Sequence, residues 1–196
     1  MLASITPLGE RGRHSRWGVT VTAFLLGATI ASAGLGALAG ALGALAVPDS
    51  VDLGARLAAL AGVGLLAAAF DARGDRVPGP RRQVNEDWLV TFRGWVYGLG
   101  YGVQLGLGIT TVISSAALYV ALIAAVATGD PARGALVLAC FGAVRGAILL
   151  GTAGVRRPEQ LISLDARLRL WRAPVRHAGV ATLGAIAAAA IIEISL

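Results

Sequence analysis

The 196-residue chain has no lysine, one cysteine, one methionine and two histidines, and only 14% of its residues are charged. Each shortage excludes something. Without lysine there is no Gly-x-x-x-x-Gly-Lys-Ser/Thr phosphate loop, so ATP-driven transport by that route is excluded for this chain alone. Cys140 alone allows neither an intramolecular disulfide nor a Cys-x-x-Cys pair, and on an apolar helix it reads as a small buried hydrophobe. His14 and His177 are far apart and neither has a second ligand at helical spacing, so no metal and no other cofactor is expected. Gly-x-Ser-x-Gly and His-Glu-x-x-His are absent as well, and no catalytic constellation emerges. The chain is not expected to be an enzyme.

A soluble domain carries roughly a quarter charged residues. Here 56% of residues are apolar and the mean hydropathy is +0.73. The apolar residues come in blocks: 18–47, 53–70, 94–128, 131–155 and 178–196. A bilayer-spanning helix needs about 20 mostly apolar residues, and lipid offers backbone groups no partner outside the segment. The expected fold is therefore all-α: a polytopic integral membrane protein of about five transmembrane helices. The first block is about twice as long as the apolar region of a signal peptide, so it reads as an uncleaved span. The third block is longer than one straight span needs, and its first half is dense in glycine. A tilted, a broken and a partly interfacial helix all remain open there.

The connections alternate in charge. The N-terminal segment holds Arg11, Arg13 and Arg16; the segment after the second block holds Arg73, Arg76, Arg81, Arg82 and Arg93; that after the fourth holds Arg156, Arg157, Arg167, Arg169, Arg172 and Arg176. Arg56 and Arg133 flank the short acidic-proline connections on the other side. The positive-inside rule then predicts a bacterial-type inner-membrane protein with a cytoplasmic N-terminus and an outside C-terminus. The formal charge of +6 is mostly an orientation signal, and no nucleic-acid partner is expected. The predicted organisation is a cytoplasmic segment (1–17), a first helix pair (18–72), a basic linker (73–93), a second helix pair (94–155), a basic amphipathic linker (156–177) and a final helix (178–196). Leu161, Leu164, Leu168 and Trp171 recur at helical spacing among arginines, which describes a helix lying on the inner leaflet or a docking surface for a cytoplasmic partner. Residues 26–32 align with 105–111 at a spacing of 79, each followed by a matching loop and helix, which predicts a parallel internal repeat of helix pairs.

Arg145 is the one charge well inside a span, about 14 residues in, or roughly 20 Å along a helix. A charge there costs at least about 2.5–3.5 kcal/mol unless paired or hydrated. It either snorkels to the headgroups or marks a polar site with Gln104, Thr110, Thr111, Ser114 and Ser115 of the third block, where a guanidinium could hold an anionic group. Asp71 is expected to pair with Arg73 or another linker arginine. Gly36/Gly40, Gly98/Gly102, Gly102/Gly106 and Gly142/Gly146 put small residues on single helix faces. Such faces pack either the chain's own helices or a homo- or hetero-oligomer.

The stretch Gly98-Leu99-Gly100-Tyr101-Gly102, polar residues in mid-span, a short loop and then Phe141-Gly142-Ala143-Val144-Arg145 resembles the membrane domain of the CcdA/DsbD-like thiol-transfer proteins. The resemblance implies a compact helical membrane scaffold. Where that family carries paired cysteines beside prolines, this chain reads Ile109-Thr110-Thr111-Val112-Ile113-Ser114-Ser115, so thiol exchange is excluded. The expected function is a small transporter or channel subunit with a polar site around Arg145. The alternative is a non-catalytic membrane anchor or assembly subunit of a larger complex.

Overall fold

The computed structural model describes residues 5–48, 51–74, 87–108 and 115–195, and among them there is no strand. The elements are α1 (Pro7–Gly12), α2 (Trp17–Ala46), α3 (Leu53–Arg73), α4 (Trp88–Thr91), α5 (Gly94–Leu107), α6 (Ala117–Ala127), α7 (Pro131–Ala147), a 3-10 turn (Ile148–Thr152) and α8 (Pro158–Ser195). Four helical stretches are long and apolar enough to cross a bilayer: α2, α3, α7 with its 3-10 turn, and α8. The protein is all-α, and its helices are consistent with a multi-pass membrane protein.

Local chemistry sets the helix ends. Thr6 caps α1 by accepting the Gly9 N–H at 3.1 Å, with Pro7 in the first turn where its missing donor does no harm. Asp52 caps α3 through the Ala55 N–H at 2.8 Å, and Gly74 closes that helix in the left-handed region at φ +72°. The long third block is broken: α5 stops at Gly108, φ +66°, and helix resumes at Ala117. Leu107 and Gly108 therefore end a helix, whereas their sequence counterparts Ala28 and Thr29 lie inside the unbroken α2. Most of the basic linker and the final span lie in one helix, α8, of 38 residues with Pro174 inside it. Straight, it would be about 57 Å long. Pro174 has no N–H to give the carbonyl four residues earlier, but flanking helix formers carry α8 through.

The chain divides into two compact units. The first comprises Met1–Ser32, Pro80–Val112 and Ala139–Trp171. Its core is Ile5, Val21, Phe24, Tyr97, Tyr101 and Leu149, with Trp88 stacked on Tyr101 at 6.0 Å between ring centres. Here Gly98, Gly102 and Gly106 of α5 lie against the Thr20, Phe24 and Ala28 carbonyls of α2. Both sets repeat every four residues, so two backbones run in contact along a face that side chains would hold apart. Gly142 and Gly146 of α7 approach Ser32, Ala28 and Leu25 in the same way.

The second unit comprises Ala33–Gly79, Ile113–Leu138 and Arg172–Leu196. Its buried residues are small: Ala67, Ala68 and Ala116 with Val120 and Leu183; Ala39 and Ala125 with Leu138; and Ala61, Ala187 and Ala190. Gly36 and Gly40 meet the Gly134 and Asp130 carbonyls. The predicted small-residue faces are thus occupied by the chain's own helices. Many large apolar side chains point outward: Leu38, Leu66 and Leu136 here, and Ile30 in the first unit, are all more than 60% exposed, the inverse of a soluble fold. Cys140 is exposed on α7 and is not the buried hydrophobe its sequence context suggests.

Candidate functional site

Of the residues predicted to form one polar site, Gln104, Ser115 and Arg145 lie within the described residues. Thr110, Thr111 and Ser114 lie outside the described residues. Gln104 is half-buried on α5. Arg145, also half-buried, sits in the last turn of α7, and one guanidinium nitrogen donates to the Leu105 carbonyl at 3.2 Å. Ser115 belongs to the other unit and donates to Asp71 at 2.7 Å.

These contacts have a common logic. Breaking a helix exposes carbonyls at one new end and N–H groups at the other, and both must be satisfied in an apolar medium. At the C-terminal end of α5, Arg145 reaches the Leu105 carbonyl, and the Ser32 hydroxyl donates to the Gly106 carbonyl at 3.1 Å. At the N-terminal end of α6, the Asp71 carboxylate accepts the Ala116 N–H at 3.0 Å as well as the Ser115 hydroxyl. A cation thus meets a helix C-terminus and an anion meets a helix N-terminus, the signs that helix dipoles favour. Arg145 thus contributes to the cap at the end of α5. Asp71 is a cap too, which corrects the expected pairing with a linker arginine: it is buried, and its oxygens are committed to α6. A cavity of about 450 Å³ adjoins it, lined also by Gly74, Arg172 and Arg176.

Asp71→Ala is expected to lower stability by about 2 kcal/mol, since it leaves the Ala116 N–H without its acceptor. Asp71→Asn, which keeps one acceptor oxygen, should lose less. Hydrogen exchange in the first turn of α6 would report it; unchanged protection in the alanine variant would overturn the capping role.

Sequence reasoning missed a second charged centre. Glu10 is fully buried in the first unit. Its carboxylate accepts the Tyr97 hydroxyl at 2.5 and 2.6 Å, the Thr20 hydroxyl at 2.8 Å and an Arg13 nitrogen at 2.7 Å. The Arg13 guanidinium also lies 5.7 Å from the centre of the Tyr97 ring. Burial by itself would lower the Arg13 pKa, but hydrogen bonds to Glu10 and Tyr97 hold it above its ordinary value. Thr6-Pro7 as a helix start, with Glu10 and Arg13 three apart, was the available sequence signal. Tyr97, 87 residues away, had none.

Among curated proteins the chain is similar to the methylamine utilization protein MauF of Paracoccus versutus, 34% identical over 145 residues, covering 71% of this chain and 53% of that protein. It is similar to the MauF of Methylorubrum extorquens at 32% over 148 residues, covering 74% and 52%. The MauF of Methylophilus methylotrophus is 29% identical over 204 aligned positions, covering 99% of this chain and 69% of that protein. The chain spans about half the length of the first two. No family model and no solved structure matches. These relatives overturn two expectations. The similarity is to MauF and not to the CcdA/DsbD-like proteins, whose resemblance rested on glycines that the structure uses for packing α5 on α2. The relatives are named for methylamine utilization and not as transporters or channels, which sets the transporter reading aside.

Proposed function

We propose that the chain is a non-catalytic membrane subunit serving amine utilization, which anchors or assembles a partner protein. The observation that carries this reading is the similarity to MauF proteins across most of the chain. The polar chemistry supports it: Arg145, Ser32, Ser115 and Asp71 hold helix ends together, as a scaffold requires. In this reading the chain crosses a bacterial inner membrane five times with its N-terminus in the cytoplasm, and the two helix pairs descend from an internal repeat. Cys140 and the outward leucines face lipid. The partner docks on the first part of α8, where Ile162, Leu170 and Trp171 are exposed among arginines. Tryptophan in such a setting is a common binding anchor.

The test is affinity purification of the tagged full chain in mild detergent from amine-grown cells. A companion protein in stoichiometric amount is expected. Leu170→Ser/Trp171→Ser should lower its recovery by about tenfold while membrane insertion is retained. Normal growth on methylamine after deletion of the gene, with no companion recovered, would overturn the reading.

A further inference from the structure

A cavity of about 490 Å³ in the first unit lies outside this capping system. It opens beside the turn joining α1 to α2 and the start of α5, and Arg13, His14, Arg16, Thr20 and Arg93 contribute to its wall. No carboxylate is among its lining residues. Arg13 is already matched by Glu10 at 2.7 Å. Arg16 and Arg93 have no carboxylate partner among the described residues, so the excess positive charge of the wall is theirs.

The backbone adds to that field. The first amide received by the α5 ladder comes from Val96, donating to the Arg93 carbonyl at 2.9 Å, which leaves the Gly94 and Trp95 N–H groups at the helix start. Both residues line the cavity. Arg93 is the N-cap of α5, and its guanidinium, a donor-only group, has no acceptor to find among the N–H groups of a helix start. His14 is held in the left-handed region at φ +55°, a conformation that histidine adopts more readily than most residues, and this turn brings it to the same wall as Arg13 and Arg16. Guanidinium groups are forked donors suited to phosphate oxygens.

We infer that this cavity binds a phosphate oxyanion, held by Arg16 and Arg93 with His14 beside it. Two sources share that chemistry. The cavity stands at the N-terminal end of α2, a helix able to cross a bilayer, next to the half-exposed Trp95, which is where a lipid phosphodiester would lie. A free phosphate or phosphomonoester is the other source. The inference is independent of the assembly reading.

The experiment uses the full chain in a neutral detergent. Phosphatidylglycerol binding is followed by native mass spectrometry against uncharged diacylglycerol, and inorganic phosphate binding by calorimetry. Arg16→Gln/Arg93→Gln is expected to weaken phosphate or phosphatidylglycerol binding by about tenfold or more. Arg156→Gln/Arg157→Gln removes the same charge from exposed positions that do not line the cavity and should leave binding within about threefold. Arg16→Lys/Arg93→Lys, which keeps the charge, should retain part of the affinity and guards against a folding defect. Arginine-dependent binding of the lipid alone assigns a headgroup; arginine-dependent binding of inorganic phosphate assigns a free anion. Equal losses in the two glutamine variants, or no binding of either probe by the wild type, would overturn the inference.

Discussion

Gly102→Leu is expected to abolish the folded protein. A Cβ at this position would fall on the Phe24 carbonyl oxygen of α2, with the Ala28 nitrogen and Phe24 carbonyl carbon each 2.9 Å away. All three are backbone atoms, so no rotamer change can make room. The two helices must separate, and with them the contacts of Gly98 and Gly106 one turn to either side. Overpacking a close-packed interior typically costs about 1–3 kcal/mol per site, so Gly102→Ala alone should lose about 2–3 kcal/mol. Leucine, with three further carbons and helices already forced apart, should leave no monodisperse species on size exclusion. Gly62→Ala is the matched control. A Cβ at Gly62, inside α3, meets nothing within 4 Å, and alanine there should raise stability by about 0.5–1 kcal/mol through helix propensity. A Gly102→Leu protein that elutes and melts like the wild type would remove the backbone contact between α2 and α5.

The same contrast explains how much of the molecule was legible in the sequence. The blocks at 18–47, 53–70 and 131–155 correspond to α2, α3 and α7 with its 3-10 turn, because length and apolar composition alone specify a membrane-length helix. The small-residue stripes were equally visible. Their partners were not, because a stripe states only that something approaches closely; that Gly98, Gly102 and Gly106 meet Thr20, Phe24 and Ala28 is a three-dimensional fact. The glycine density of the third block announced an irregularity without choosing one. The choice fell on Gly108, where a left-handed residue is tolerated and two donors, Arg145 and Ser32, come from elsewhere in the chain to cover the freed carbonyls. Arg145 drew attention as a costly charge, and among the described residues one of its guanidinium nitrogens is met by the Leu105 backbone carbonyl, an acceptor that sequence pattern does not point to. Asp71 was misread for the same reason. A carboxylate near arginines suggests an ion pair, while the stronger demand came from the unpaired Ala116 amide 45 residues away.

Glu10 sharpens this point, because its removal is expected to have the second-largest effect. Three donors from three elements converge on one buried carboxylate: Arg13 after α1, Thr20 in α2 and Tyr97 in α5. Glu10→Ala takes the acceptor from the Tyr97 hydroxyl, leaves the Thr20 hydroxyl only its longer bond to the Arg16 carbonyl at 3.4 Å, and removes the counter-charge of Arg13, whose side chain is 23% exposed and so regains only part of its hydration. Breaking a buried pair by deleting one partner costs about 3–5 kcal/mol, and the residual exposure of Arg13 puts the expected loss near the lower end, at about 3 kcal/mol. Glu10→Gln keeps an acceptor for Tyr97 but can turn an amide N–H₂ toward Arg13, so it should fall between. Tyr97→Phe removes one donor and should lose about 1 kcal/mol. If the carboxylate and the phenol act together, the double variant will lose less than the sum of the two, with a coupling of about 0.5–3 kcal/mol in a double-mutant cycle on denaturant midpoints. Additive losses would mean that Glu10 acts through Arg13 and Thr20 alone. A Glu10→Ala protein within about 0.5 kcal/mol of the wild type, the range of an ordinary surface change, would show that the carboxylate does not hold α1 against α2 and α5. Since that carboxylate also offsets Arg13 at the cavity wall, its integrity decides whether Arg16 and Arg93 alone set the charge an anion would meet.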